Sequence, residues 1–393
     1  MAYLKNSAVN LLNLHFGLHA LALNGAGVFY FVFLLKAGVP TPVVFAAIAL
    51  MVTIRFIVRP VVIVLAPRWG LKALVVFGTI FAGLQYPFLA EVHGVDVMLL
   101  AVVLMGALGD TFYWTSYHAY FASLGDLEHR GHQIGAREAI GSVAAIVGPL
   151  LTGWALVSLG PRIAFGAATL MHVLAALPLL ATPKVAVAPV VRGVFRAALP
   201  GILLFAADGW ACVGYIFVWQ IALFVSLGES FSAFGIAVAF AALIGAISGL
   251  VLGKHIDAGR GGGAVWITFA AATAVIVLRA VSTGNVALAV TANALGALIG
   301  PIYIGTLMTA VYNLAKRSPC PLRFHVATEG GWDIGCAGAA LTAAALSAAG
   351  APLSVGILTS FLGVAAATFL LRRYYASGET LADTPVLEPA PSC

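Results

Sequence analysis

Charged side chains are scarce in this sequence. Asp, Glu, Lys and Arg make up only 9% of its 393 residues, against about 25% in a soluble domain. So few charges cannot cover a water-facing surface on a chain this long, which excludes a string of soluble domains. Cysteine is also rare: Cys212, Cys320, Cys336 and Cys393 follow no paired spacing, so neither a disulfide framework nor a metal site is expected from them. A phosphate-binding Gly-Lys-Ser/Thr loop is missing. The run Gly261-Gly262-Gly263 follows a basic loop rather than a strand and lacks that lysine, so nucleotide hydrolysis is unsupported. No zinc-protease or nucleophile-elbow pattern occurs either. The expectation is therefore no enzyme, no cofactor and no bound metal. A cleavable leader is not expected, because the first apolar run carries Asn13, His15, His19 and Asn24 and is too long and too polar for one.

Apolar residues are what the chain has in abundance, at 62% with a mean hydropathy of +1.05. Many runs exceed roughly 18 residues, the length that crosses a bilayer. Lipid cannot satisfy backbone amides, and the runs lack strand-like alternation, so they are expected to be helices. Twelve segments are expected, near 9–36, 42–65, 72–90, 97–122, 137–159, 162–182, 198–226, 232–253, 264–281, 286–314, 327–349 and 352–373. The fold class expected is an all-α membrane protein of two pseudo-symmetric six-helix bundles, 1–182 and 198–373, joined by a cytoplasmic linker at 183–197. The Pro-rich tail, 374–393, is expected to be disordered. With the amino terminus inside, the outer side holds only Lys36, Arg162 and Arg279 of the 20 basic residues, which predicts both termini in the cytoplasm. On this reading the net charge of +6 is cytoplasmic-loop charge of a protein set in a lipid bilayer, and no nucleic-acid partner is implied. Abundant Ala and Arg with little Lys suggest a bacterium of high genomic GC content, hence an inner membrane.

One stretch organises the rest. It runs GDTFYWTSYHAYFASLGDLEHRGHQIGAREAIG from Gly109 to Gly141, and a worn copy lies half a chain later, between Gly300 and Gly335. Tyr303 echoes Tyr113; Arg323, His325, Glu329 and Gly335 echo Arg130, His132, Glu138 and Gly141. Such a repeat points to two halves built alike.

The loops after the second and eighth segments occupy corresponding places. The first keeps Arg68, Gly70 and Lys72, with Pro67 where an acid would stand; the second keeps Gly253, Asp257 and Arg260. This pattern resembles the signature loop of the major facilitator superfamily. Such a loop implies a latch in which an acid caps a helix and bases pair with acids across the halves; positive-inside charge alone is the other reading. Gly148-Pro149-Leu150-Leu151-Thr152-Gly153 looks like the fifth-helix signature of facilitator-family antiporters, or else marks ordinary small-residue packing. The resemblance implies a monomeric secondary transporter working by alternating access, with the first and seventh helices lining a cavity.

Asp110 falls near mid-membrane, where an ionised acid needs a wet cavity, a partner or a proton. Tyr113, Trp114 and Tyr117 lie three, four and seven positions on, the same helical face. The group reads as a proton or substrate site with an aromatic wall, or as an acid paired with arginine for structure. Asp208, near Trp210, Tyr215, Trp219 and Gln220, is its counterpart in depth. His15 and His19 share a face and read as a proton shuttle or as core histidines. Arg59 is expected to snorkel to the inner surface. Arg55, deeper, pairs with an acid or binds an anion. Glu138, Glu329 and Asp333 are placed a turn or two inside the cytoplasmic ends, as gate ion pairs in preference to substrate contacts. Together these point to proton-coupled export of a cationic or amphipathic organic molecule. The rivals are uptake of an organic anion through Arg55 and a non-transporting sensor or assembly protein.

Overall fold

The computed structural model describes residues 6–125, 130–185, 187, 194–256 and 261–376. Among them the secondary structure is helical throughout, in twelve helices. These are α1 (Ser7–Lys36), α2 and α3 (41–69 and 71–90), α4 (Val97–Leu124), α5 (Arg130–Ser158) and α6 (Pro161–Leu180). Then come α7 (Val194–Ser226), α8 (Phe231–Ile256), α9 (Gly261–Ser282), α10 (Val286–Lys316), α11 (Pro321–Ala348) and α12 (Leu353–Ala376). The helical stretch Thr41–Ala90 is 50 residues long, about 75 Å at ~1.5 Å per residue and twice what a bilayer needs. It breaks at Gly70, whose φ of 79° and ψ of 161° only glycine adopts cheaply. The signature-loop glycine is thus the hinge between two passes.

Among the described residues, ten helical stretches, counting Thr41–Ala90 as one, are long and apolar enough to cross a membrane. Their outward faces carry large apolar side chains such as Phe195 (71% exposed), Val97 (70%) and Ile57 (67%), a surface that suits lipid and not water. The chain is a multi-pass membrane protein. Asn6, Asp96 and Asn285 start α1, α4 and α10 by accepting from the backbone N–H three positions on.

The duplication is written in the backbone. Left-handed glycines at Gly38, Gly94 and Gly160 recur half a chain later, all three at one constant offset, as Gly228, Gly284 and Gly350. A π-helical turn interrupts α1 at Leu23–Gly27 and α7 at Val213–Val218, and the two turns start at that same offset.

The chain divides into two compact units: residues 1–40, 54–189 and 230–239, and residues 41–53, 190–229 and 240–393. In the first, Val9 and Leu12 of α1, Val62 and Ala66 of α2, Leu74 and Val75 of α3 and three tyrosines of α4 form a buried core. Gly148 of α5 lies against Gly25 of α1, where a Cβ would come within 2.7 Å of the Gly25 nitrogen, so the Gly-Pro motif packs two backbones together. In the second, Gly331 and Gly335 of α11 press on the backbone of Ile202 and Ala206 of α7.

Four helices overrun their apolar segments by four residues or more. α2 reaches residue 69 rather than 65, α5 begins at 130 rather than 137, α7 at 194 rather than 198, and α11 at 321 rather than 327. Hydropathy marks where lipid starts, whereas charged and polar residues continue the helix into water.

Candidate functional site

Each unit holds polar side chains at membrane depth. In the first, Asp110 lies about 20 Å along α4 from its start at Val97, at ~1.5 Å per residue. Arg55 Nη1 donates to Asp110 Oδ2 at 3.1 Å, with 9% of the arginine side chain and 31% of the aspartate exposed. One turn on, Arg59 donates to Thr115 Oγ1 at 3.1 Å and is itself buried. Arg59 therefore grips α4 and does not snorkel. Of the expected aromatic wall, Tyr113 and Tyr117 are fully buried and only Trp114 is partly accessible.

Tyr113 and Tyr117 instead join a histidine cluster. His15 Nδ1 lies 2.7 Å from the Ala175 carbonyl on α6 and Nε2 lies 3.2 Å from Tyr113 Oη. A carbonyl only accepts, so Nδ1 donates to it, and the neutral ring then accepts at Nε2 from the tyrosine hydroxyl. His19 stacks on Tyr113, with centroids 3.8 Å apart and planes 15° apart. It meets His172 of α6 edge-on at 4.9 Å. His172 Nδ1 donates to its own helix at Ala168, 2.9 Å away. His19 Nδ1 and His172 Nε2 are buried without a hydrogen-bond partner among the described residues. Sequence reasoning missed His172, whose only signal was a histidine inside an apolar run. No group of three His, Cys, Asp or Glu residues suited to a metal occurs among the described residues.

In the second unit, Asp208 lies well inside α7 and is partly accessible. Tyr303 of α10 donates its hydroxyl to Oδ1 at 2.7 Å, and Trp332 of α11 donates its indole N–H to Oδ2 at 3.1 Å. Both donors are neutral; no Lys, Arg or His pairs with Asp208 among the described residues. Tyr303 was visible as the echo of Tyr113, while Trp332 carried no signal of its own. Trp210 turns elsewhere, donating to the Thr359 carbonyl at 3.1 Å. Tyr215 reaches α10, its hydroxyl 3.3 Å from the Gly296 carbonyl. Arg279, read from sequence as an outer charge, is 5% exposed, because its guanidinium folds back onto Tyr215 and Trp219.

The latch residues scatter. Arg68 is exposed. Lys72 donates to the carbonyls of Leu180 and Thr182, at 3.0 and 2.7 Å, so it caps the end of α6 where the helix dipole favours a cation. Glu138 pairs with its neighbour Arg137, whose guanidinium covers the rings of Phe16 and Phe121. Asp257, Arg260 and the Arg130 side chain lie outside the described residues. Arg323 and Glu329 are half-buried. Asp333 is completely buried. It lies about 18 Å along α11 from Pro321, at ~1.5 Å per residue, part of which precedes the apolar run.

The sequence matches the Major Facilitator Superfamily over residues 16–319. None of the curated proteins matches it in sequence. Among solved structures, the chain is similar to the POT family transporter PepTSo, crystallised in meso, with a TM-score of 0.66 and 11% identity over 96% of this chain and 99% of that one. It is equally similar to an auto-inhibited POT family peptide transporter, with a TM-score of 0.66 and 13% identity over 98% and 99%. At such identities the likeness is one of fold.

Proposed function

The chain belongs to the major facilitator superfamily and is a membrane transporter of that fold, and from this premise we propose that it exports a small cationic or amphipathic organic molecule in exchange for protons. Transport would proceed by alternating access, the two bundles being 1–182 and 198–373, both termini in the cytoplasm and the membrane a bacterial inner membrane. The observation that carries this reading is Asp208, a partly accessible carboxylate at membrane depth held, among the described residues, by two neutral donors. An acid there without a fixed counter-ion suits alternate occupation by a proton and by a cationic group of the substrate. Asp110 is the second acid on this reading, and His15 and His19 are further proton carriers. Uptake of an anion through Arg55 has less support, because Asp110 already neutralises that guanidinium.

The test is a proteoliposome assay with a trapped pH-sensitive dye and a panel of organic cations. A cation-evoked proton flux that vanishes in Asp208→Asn is the expected result. No flux with any member of the panel would argue for the non-transporting alternative, and undiminished flux in the variant would remove Asp208 from the mechanism.

A further inference from the structure

A cavity of about 350 Å³ opens at the surface of the first unit, where α3 ends and α6 begins. Sites for small ligands run from about 300 to 1,000 Å³, so a guest the size of a lipid headgroup has room here. Ala90, Glu91 and His93 line the cavity from the end of α3, and Leu159 and Arg162 line it from the turn between α5 and α6.

The polar lining carries both signs. Arg162 Nε and Nη2 donate to Glu91 Oε1 and Oε2, at 2.6 and 2.9 Å. That uses one edge of the guanidinium. Nη1, with its two N–H groups, meets no acceptor among the described residues, and the arginine side chain is 80% exposed, so a ligand can reach it. Glu91 keeps spare lone pairs, since a carboxylate accepts about four hydrogen bonds. His93 is held in place by its neighbours: its backbone N–H donates to Asp96 Oδ2 and its ring Nδ1 to the Glu91 carbonyl, each at 2.8 Å. With the proton on Nδ1, Nε2 of the neutral ring only accepts, and no described residue donates to it. The cavity thus sets a guanidinium with free donors beside two acceptors, the Glu91 carboxylate and His93 Nε2.

The surroundings say what meets this cavity. Val157, Leu159 and Ile163, around the same turn, are exposed large apolar side chains, a surface for acyl chains. The polar cluster begins where that apolar belt gives way to a loop, the level at which headgroups lie. A zwitterionic headgroup carries the complementary charges two carbons apart: a phosphate, for which arginine is suited, and an ammonium. The acceptors add a condition, because they need an ammonium that has N–H groups to donate. A primary ammonium has them and a trimethylated one does not.

We propose that this cavity holds the headgroup of a phosphatidylethanolamine from the adjoining leaflet, its phosphate on Arg162 and its primary ammonium shared by Glu91 and His93. The bound lipid ties the end of α3 to the start of α6. It requires neither a substrate nor a proton gradient, so the inference stands apart from the transport reading.

The experiment uses the full-length protein in detergent and follows thermal unfolding as lipid is added to the micelles, since a ligand that binds only the folded state raises the unfolding temperature. The probes are dioleoyl phosphatidylethanolamine, its choline and glycerol counterparts, and water-soluble phosphoethanolamine. The ethanolamine lipid should act at a mole fraction about tenfold below that of the choline lipid, the equivalent of one lost hydrogen bond to a charged group. Arg162→Gln and Ala90→Phe should each bring the two lipids to the same response. The first removes the phosphate donor. The second alters no charge, leaves the Arg162–Glu91 pair and fills the cavity from α3. Equal responses to the ethanolamine and choline lipids in the wild-type protein, a stronger response to the glycerol lipid, or an ethanolamine preference that survives in either variant would overturn the proposal. Phosphoethanolamine acting as strongly as the lipid, at equal concentration, would overturn the lipid as occupant and assign the cavity to a soluble zwitterion.

Discussion

Replacing Asp110 by Asn strips the charge from the Arg55–Asp110 pair while keeping the shape of the side chain. At 3.1 Å two unit charges attract by about 5 kcal/mol with an effective dielectric constant of ~20. The aspartate side chain is 31% exposed, so solvent screens part of this, and desolvating both ions offsets more. A coupling of about 1–3 kcal/mol is left, within the range found for residues in direct contact. Asp110→Asn removes the charge facing Arg55, whose side chain is 9% exposed, so the single variant should be destabilised by an amount within that range. Arg55→Gln alone should cost less, because the aspartate is the wetter partner and can take up water or a proton. The double variant, with neither charge, should recover most of the loss.

The assay is a double-mutant cycle on the detergent-solubilised protein, unfolded by a graded denaturing detergent, run beside the proteoliposome proton-flux measurement. Stability should recover in the double variant while flux stays lost in all three proteins. That outcome separates a carboxylate needed for transport from one needed only to neutralise an arginine. A coupling below about 0.5 kcal/mol, the lower limit for contacting residues, would refute the pair as an energetic unit. Wild-type flux in Asp110→Asn would refute its role in transport.

Three other outcomes follow from the geometry. His19→Phe keeps a ring on Tyr113, where the centroids are 3.8 Å apart, and removes both ring nitrogens; if His19 carries protons, coupled flux should fall with little change in unfolding temperature, and unchanged flux would rule the shuttle out. Gly331→Leu puts a side chain where even a Cβ would lie 3.0 Å from Ile202 Cα; such overpacking costs about 1–3 kcal/mol or more and should reduce the yield of folded protein more than Leu341→Ala on the exposed face of the same helix. At the start of α6, Arg162 donates to the carboxylate of Glu91, the residue just past α3, at 2.6 and 2.9 Å and holds its pKa below the usual carboxylate range. A depressed pKa contributes stability that is present above the unfolded value and is lost as pH falls through the folded value. Glu91→Gln should therefore lower stability near neutral pH and flatten that acid-side decline, which unfolding scans between neutral and acidic pH would reveal.

The fold was legible because lipid imposes its rule on every residue of a span. Apolar runs located the helices, and their failures came at the ends of helices such as α2, α5 and α11, where Arg68, His132 and Arg323 stay helical beyond the apolar runs. The site was legible in part. Asp110, Asp208, His15 and His19 stand out because ionisable groups are rare at membrane depth. Their partners do not. Arg55 was one of two arginines a turn apart, and only coordinates show that it meets Asp110 while Arg59 meets Thr115. Trp332 and His172 lie on other helices from the groups they touch, so no local spacing could couple them. Arg279 misled for a related reason. Its position at the end of α9 suggested solvent, but the side chain reaches back to a π-helical turn that sequence pattern does not announce.

The two units treat their acids differently, and the chemistry of the donors makes the difference testable. Around Asp110 the partner is a permanent cation, which never accepts a proton and favours the ionised acid. Around Asp208 the partners are a phenol and an indole. The indole nitrogen of Trp332 only donates, whereas the hydroxyl of Tyr303 donates or accepts as it rotates. A protonated Asp208 must therefore point its O–H toward Tyr303, on the Oδ1 side, because an O–H facing Trp332 would set donor against donor. If Asp208 alternates between charged and neutral states, Trp332 donates to Oδ2 in both, whereas Tyr303 turns from donor to acceptor and alone faces the proton. Tyr303→Phe should then impair cation-evoked proton flux more than Trp332→Phe, each compared at equal amounts of folded protein in the vesicles. Equal impairment, or a greater loss in Trp332→Phe, would mean that the proton does not pass through this side of Asp208.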